Sequence, residues 1–318
     1  HYPEQMTGND NQGQPNSVFE NTTDVKAGLA KCYSTDLFTA RAKKWIVDHR
    51  TAAPAQPFFL YLAYTAPHAR LDVPTQAYPA GAGLSGGLQW NGTVGSMINT
   101  ATGVINTWIH PDYAAATWDN DANAATPEVA WPDYAKRHAT MVRRLDDAVA
   151  DLVQTLKDVG ADGNTLIVFT ADNGPHNEAG TGGTYTYEPT FFDSFGPLDG
   201  IKRDTWEGGI RVPAFARWPG VVAAGGVATR VTTFWDWMPT FAELAGVPAP
   251  ARTDGVSLAP VLAGAGIARD SRLYIEYSPG ALTTPTYEEF LPSRRGRLRN
   301  QMQVVQVGDY KGVRYNIG

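Results

Sequence analysis

An apolar, β-branched run that breaks off into charge constrains this chain more than any other stretch. It lies at residues 166–174, LIVFTADNG. Leu166, Ile167, Val168 and Phe169 read as a strand buried on both faces. An unpaired carboxylate in the middle of such a strand costs several kcal/mol. Asp172 and Asn173 are therefore expected at its C-terminal end, where open α/β sheets place their ligands. Gly174 and Pro175 then stop the strand. One charged and one neutral oxygen donor, with no cysteine nearby, suit a hard cation such as Ca²⁺ or Mg²⁺. A strand-end Asx turn without metal accounts for the same residues.

The surrounding pattern alternates helix and strand. Leu37, Phe38, Ala42, Trp45 and Ile46 recur at helical spacing and predict a helix over 34–49, capped by Ser34 or Thr35. FFLYLAY (58–64) predicts a second buried strand, ending in Thr65-Ala66-Pro67-His68. The strongest helical stripe runs over 134–159, through Val142, Leu145, Val149, Leu152, Val153, Leu156 and Val159. Arg143, Asp147, Asp151, Gln154, Lys157 and Asp158 fall largely off that stripe. A short strand over 212–218 and a helix over 236–245 follow. Past residue 270, LYIEY (273–277), QVVQV (303–307) and residues 312–315 alternate like antiparallel strands. The fold class expected is α/β: a mixed, largely parallel central sheet flanked by helices over 1–268. A smaller C-terminal α+β subdomain with an antiparallel sheet begins at 269. Residues 1–30, 71–130 and 176–200 read as loops, and long excursions at the ligand edge of a sheet shape substrate sites.

A chain of 318 residues with 43% hydrophobic and 18% charged residues has an ordinary globular core. Its net charge of -6 and scattered Arg and Lys argue against a nucleic-acid partner. Cys32 is the single cysteine, so neither an internal disulfide nor a cysteine-based zinc site can form. No apolar run reaches the roughly 18 residues that span a bilayer.

Three loops carry polar groups that chemistry can use. His68 follows Pro67, which holds its predecessor extended and throws the imidazole out past the strand. Asp172 and Asn173 are followed closely by His176. Residues 200–213 (GIKRDTWEGGIRVP) read either as a solvated turn around paired glycines or as an anion clamp with Lys202 as a point charge. Glu207 and Arg211 are spaced to pair within it. Metal oxygens, a histidine and a lysine together suit displacement at a tetrahedral oxyanion. Arg294, Arg295, Arg297 and Arg299 read either as solvated surface or as a contact for an anionic polymer.

These stretches carry a resemblance. Residues 33–37 (YSTDL), 57–68 (PFFLYLAYTAPH), 164–176 (NTLIVFTADNGPH), 200–213, 234–246 (FWDWMPTFAELAG) and 254–258 (DGVSL) resemble the formylglycine-dependent type I sulfatases of the alkaline phosphatase superfamily. The resemblance implies that Asp172 and Asn173 are two ligands of a Ca²⁺-like ion. It implies that His68 and Lys202 touch the sulfate near its bridging oxygen, and that His176 contacts substrate. It also implies a sulfated small molecule or glycan as partner, and a periplasmic or secreted location. Phe191, Phe192 and Asp193, in the loop 180–200, resemble the forms seen in sulfatases of sulfated glycans.

The family's nucleophile motif, Cys/Ser-x-Pro-x-Arg, is absent: Cys32 precedes Tyr33-Ser34-Thr35, and Ser293-Arg294-Arg295 does not fit. The amino-terminal Asp-Asp metal pair is also absent. The chain is therefore expected to be the middle and later part of a longer sulfatase, inactive by itself. A phosphatase or phosphodiesterase of the same superfamily, and a non-catalytic glycan-binding relative, are the alternatives. Asn173, standing where zinc phosphatases favour histidine, weighs for the hard ion.

Overall fold

A computed structural model describes residues 18–178, 186–264, 271–280 and 282–315. The N-terminal part of the first loop and residues 179–185 of the third lie outside these. The chain forms two compact units, His1–Asp162 with Glu178–Glu188, and Gly163–Asn177 with Pro189–Gly318.

In the first unit two long helices, Ser34–Ala52 and Asp133–Asp158, lie where the periodicity places them. Ser34 and Thr35 are the first helical residues and not the cap; Tyr33 stands at the N-cap without a side-chain bond. The helices are joined by two buried ion pairs. Arg144 grips Asp36 with two nitrogens at 2.7 and 2.6 Å, and Lys43 reaches Asp151 at 2.6 Å. Asp36 and Lys43 lie two turns apart on one helix, as do Arg144 and Asp151 on the other. The two helices therefore run side by side in the same direction. This corrects the polar-face reading of the long helix. Asp151 is fully buried, whereas Val142, counted in the apolar stripe, is exposed. A charge placed opposite a complementary charge is buried by its partner, which a one-helix pattern cannot register.

Leu29, Cys32, Leu37, Ala40, Leu88, Ile98 and Ala101 form the apolar core beside the first helix. The excursion over 71–130 is built from short hairpins, Trp90–Thr93 with Ser96–Ile98 and Thr117–Trp118 with Val129–Ala130.

The expected buried strand over 58–64 is not formed as such. Those residues are outside any described strand, and Phe59 and Tyr61 are 66% and 81% exposed. Tyr64 at its end turns inward and shares a 2.8 Å hydrogen bond with the Thr39 hydroxyl. Burial, reinforced by the nearby charges of Asp36 and Asp151, pushes the Tyr64 phenol up to about 12. Tyr78, donating to Asp151 at 2.8 Å, is raised further by burial and the same carboxylates.

An unfolded tyrosine loses its proton near pH ~10. A folded pKa above that value gives stability that is intact below about pH 10 and lost as pH climbs through the folded value. Stability should thus fall between about pH 10 and 12, and tyrosinate absorbance should lag the denatured protein over the same window. All tyrosines of the folded protein titrating together near pH ~10 would contradict this.

In the second unit the strand Ile167–Thr170 pairs antiparallel with Ala214–Arg217, Thr170 opposite Ala214. It is half-buried, with Phe169 and Phe215 turned to the surface, so the reading of a strand covered on both faces is corrected. An apolar run records a capacity for burial; the covering layer must come from elsewhere in the fold. Leu273–Tyr277, Met302–Val307 and Tyr310–Tyr315 form a three-stranded antiparallel sheet, with Met302 and Val304 facing inward at alternate positions. Every pairing among the described residues is antiparallel, and a large parallel central sheet is not among them. The helix Trp237–Leu244 is fixed by Asp236, a buried carboxylate that accepts from the Thr233 and Val256 amides at 2.7 and 2.8 Å. No described helix is long and apolar enough to cross a membrane.

Candidate active site

The strand Ile167–Thr170 ends two residues before Asp172, so the carboxylate and the Asn173 carboxamide emerge just past its C-terminal edge. Asp172 is exposed and Asn173 half-buried. The Asn173 amide nitrogen donates to the Gly174 carbonyl at 2.8 Å, which leaves its oxygen as an acceptor.

Gly174 is buried, and its N–H donates to the Gly209 carbonyl at 3.0 Å. The helical turn Glu207–Ile210 packs so closely here that a Cβ on residue 174 would lie 1.8 Å from the Gly208 carbonyl oxygen. One residue on, the Pro175 carbonyl accepts from the Lys202 N–H at 2.7 Å. These two backbone bonds join the Asp172-Asn173 turn to the segment that carries Lys202. His176, next in line, is 8% exposed.

The solvated-turn reading of residues 200–213 is corrected by the same packing. Gly208 and Gly209 are buried, and a Cβ on either would meet backbone oxygens at 2.0 and 2.4 Å, those of Gly200 and Asp204. Both glycines are required by close approach and not by a flexible bend. Arg203, directly after Lys202, holds a left-handed φ of 72°, sparsely populated for a side chain of that size. Asp204 is 3% exposed, and burial raises its carboxyl above the usual range. Its Oδ1 accepts from the Trp206 N–H at 3.0 Å and the Tyr315 hydroxyl at 2.8 Å. Glu207 stands 3.9 Å from Arg211, as its spacing implied, and makes a closer ion pair with Lys311. Asp204, Tyr315 and Lys311 escaped the sequence reading, because the last two lie more than a hundred residues from the loop they hold.

His68 belongs to the first unit. It sits in the turn after 58–64, its N–H donating to the Thr65 carbonyl at 3.0 Å, and its ring is exposed as the preceding proline implied. Asp172, Asn173, His176 and Lys202 belong to the second unit.

Among the described residues no three His, Cys, Asp or Glu side chains converge as a metal site. Asp172 and Asn173 fit two positions of a hard-cation shell, which takes about 6–8 oxygens in all for Ca²⁺. The chemistry in reach is charge stabilisation: an exposed carboxylate and a neutral carboxamide oxygen on one turn, with a lysine on the segment fastened to it.

Comparison with known proteins gives one family. The family described as Sulfatase matches residues 1–247. The chain is 38% identical over 146 residues to steryl-sulfatase of Rattus norvegicus, covering 45% of this chain and 24% of that protein. It is 35% identical over 128 residues to N-acetylgalactosamine-6-sulfatase of Mus musculus, covering 40% and 23%. It therefore spans about a quarter of the length of these curated relatives. The solved structure of Ps i-CgsB in complex with k-i-k-neocarrahexaose superposes with a TM-score of 0.60 at 24% identity, over 99% of this chain and 55% of that one. That likeness establishes a shared α/β fold.

Proposed function

The chain belongs to the sulfatase family, and on that premise we propose that the protein carrying it hydrolyses a sulfate ester on a carbohydrate or glycan. The observation that carries the proposal is the pair of backbone bonds, Gly174 to Gly209 and Lys202 to Pro175, that fasten the Asp172-Asn173 turn to the Lys202 segment. The carbohydrate substrate draws support from the similarity to N-acetylgalactosamine-6-sulfatase. The Phe191 and Phe192 rings, edge-on at 4.7 Å, add an apolar surface of the kind sugar faces stack on.

In this reading Asp172 and Asn173 hold a Ca²⁺-type ion, Mg²⁺ being the other hard cation they suit. When bound, such an ion draws negative charge away from the sulfate oxygens. The Lys202 ammonium offsets charge that develops on the same group in the transition state. His68 manages the proton at the leaving oxygen, and His176 contacts the substrate. The formylglycine nucleophile and the other metal ligands come from chain outside residues 1–318, and the protein works in the periplasm or is secreted.

Paired assays of the full-length protein with an aryl sulfate and the matching aryl phosphate test the proposal. Turnover of the sulfate well above the phosphate is the expected result. Preference for the phosphate would reassign the site to phosphoryl transfer, and turnover of neither would favour a glycan-binding role.

A further inference from the structure

The basic stretch near the C-terminus has a use that neither a solvated surface nor a polymer contact describes. Of its four arginines, three turn inward. Arg294 stacks its guanidinium 3.6 Å above the Trp206 ring and pairs with Asp199. Arg295 donates to the Phe290 and Glu288 carbonyls. Arg299, 5% exposed, donates to the Lys202 carbonyl at 3.2 Å and to the Thr283 carbonyl at 2.7 Å.

Arg299 is itself held firmly. Its N–H donates to the Leu282 carbonyl at 2.7 Å, and Thr283 bridges antiparallel to Leu298 beside it. Its charge faces the buried carboxylate of Asp204, which the Tyr315 hydroxyl orients. Lys202 is consequently fixed at both of its peptide groups, its N–H by Pro175 and its carbonyl by Arg299, and the next residue is forced left-handed. A strained backbone persists only where the surroundings over-determine it, and such strain clusters where a side chain must be aimed.

We propose that Arg299 is a positioning residue that aims Lys202 at the sulfate ester by clamping its peptide carbonyl. The inference rests on the sulfatase reading of Lys202 given above. Lysine at 299 would supply a compact point charge on a flexible stem; the planar fork of arginine holds the two carbonyls in one fixed geometry.

A double-mutant cycle in the full-length protein, read with an aryl sulfate, tests this. In the wild-type background R299Q lowers kcat on the order of tenfold with little change in KM, since a misplaced group costs rate more than binding. In a K202A background the same change has almost no further effect, because the group being aimed is gone. R299K restores part of the loss. Hydrogen exchange over residues 200–206 rises in R299Q.

Additive losses from R299Q and K202A overturn the positioning role while leaving the sulfatase reading intact. Wild-type turnover in K202A overturns the role of Lys202 and this proposal together. Should R299Q fail to fold, R299K takes its place in the cycle, with the same two outcomes.

Discussion

Replacing Asp151 with alanine is expected to remove most of the stability of the unit built on the two long helices. Asp151 is fully buried and accepts four hydrogen bonds. Oδ1 takes the Lys43 ammonium at 2.6 Å and the Gly83 N–H at 2.7 Å. Oδ2 takes the Tyr78 hydroxyl and the Leu88 N–H, both at 2.8 Å. Without the carboxylate, the buried ammonium loses its counter-charge and keeps only the Gly86 and Leu88 carbonyls, and a phenol and two backbone N–H groups lose their acceptor. Breaking a buried pair from one side costs about 3–5 kcal/mol, and orphaned amides add to that. A domain stable by roughly 5–15 kcal/mol has little left after such a loss.

The asymmetry of the pair sharpens the test. Lys43→Met leaves the carboxylate with its phenol and both amides, so it should cost distinctly less than Asp151→Ala. Urea unfolding of the two variants reads the difference; equal costs, or an Asp151→Ala midpoint close to wild type, would show that the hub does not hold the helices together.

That hub also shows where the sequence was legible and where it was not. Helices over 34–52 and 133–158 could be read because apolar residues repeat at 3.6, and the C-terminal sheet because Leu273–Tyr277 and Met302–Val307 alternate. The turn at Asp172 could be placed because the apolar run stops before it and Gly174-Pro175 break the strand, although that strand is only half-buried. Asp151 could not be read as buried, since its partner is Lys43, remote in sequence, and periodicity weighs each helix alone. The run over 58–64 was misread for the converse reason: Phe59 and Tyr61 are apolar enough for a core, yet they lie 66% and 81% exposed. Lys202 could be read as a point charge from its loop and was tied to sulfate by the family resemblance, whereas Arg299 was read only as surface or polymer contact, because an arginine aimed at a backbone carbonyl leaves no pattern in composition or spacing.

Gly174→Ala is expected to abolish most of the turnover of the full-length protein, and the cause is space. The new Cβ would fall 1.8 Å from the Gly208 carbonyl oxygen and 3.1 Å from the Gly209 Cα, backbone atoms of a buried turn with no rotamer to change. Either the Asp172-Asn173 turn or the segment 207–210 must move. Overpacking of this kind costs about 1–3 kcal/mol of stability, a tolerable loss for a large fold. Function is less forgiving, because the displaced turn carries Asp172 and Asn173 and the displaced segment follows Lys202. A shift near 1 Å between reacting groups slows chemistry on the order of a hundredfold. Gly163→Ala is the control, since its Cβ would meet nothing within 4 Å. The expected pattern is a Gly174→Ala protein that unfolds cooperatively, binds Ca²⁺ more weakly and turns over aryl sulfate far more slowly than the Gly163→Ala protein. If Gly174→Ala matched that control in rate, the contact between the two loops would be ordinary packing, and the proposed site would have to be organised some other way.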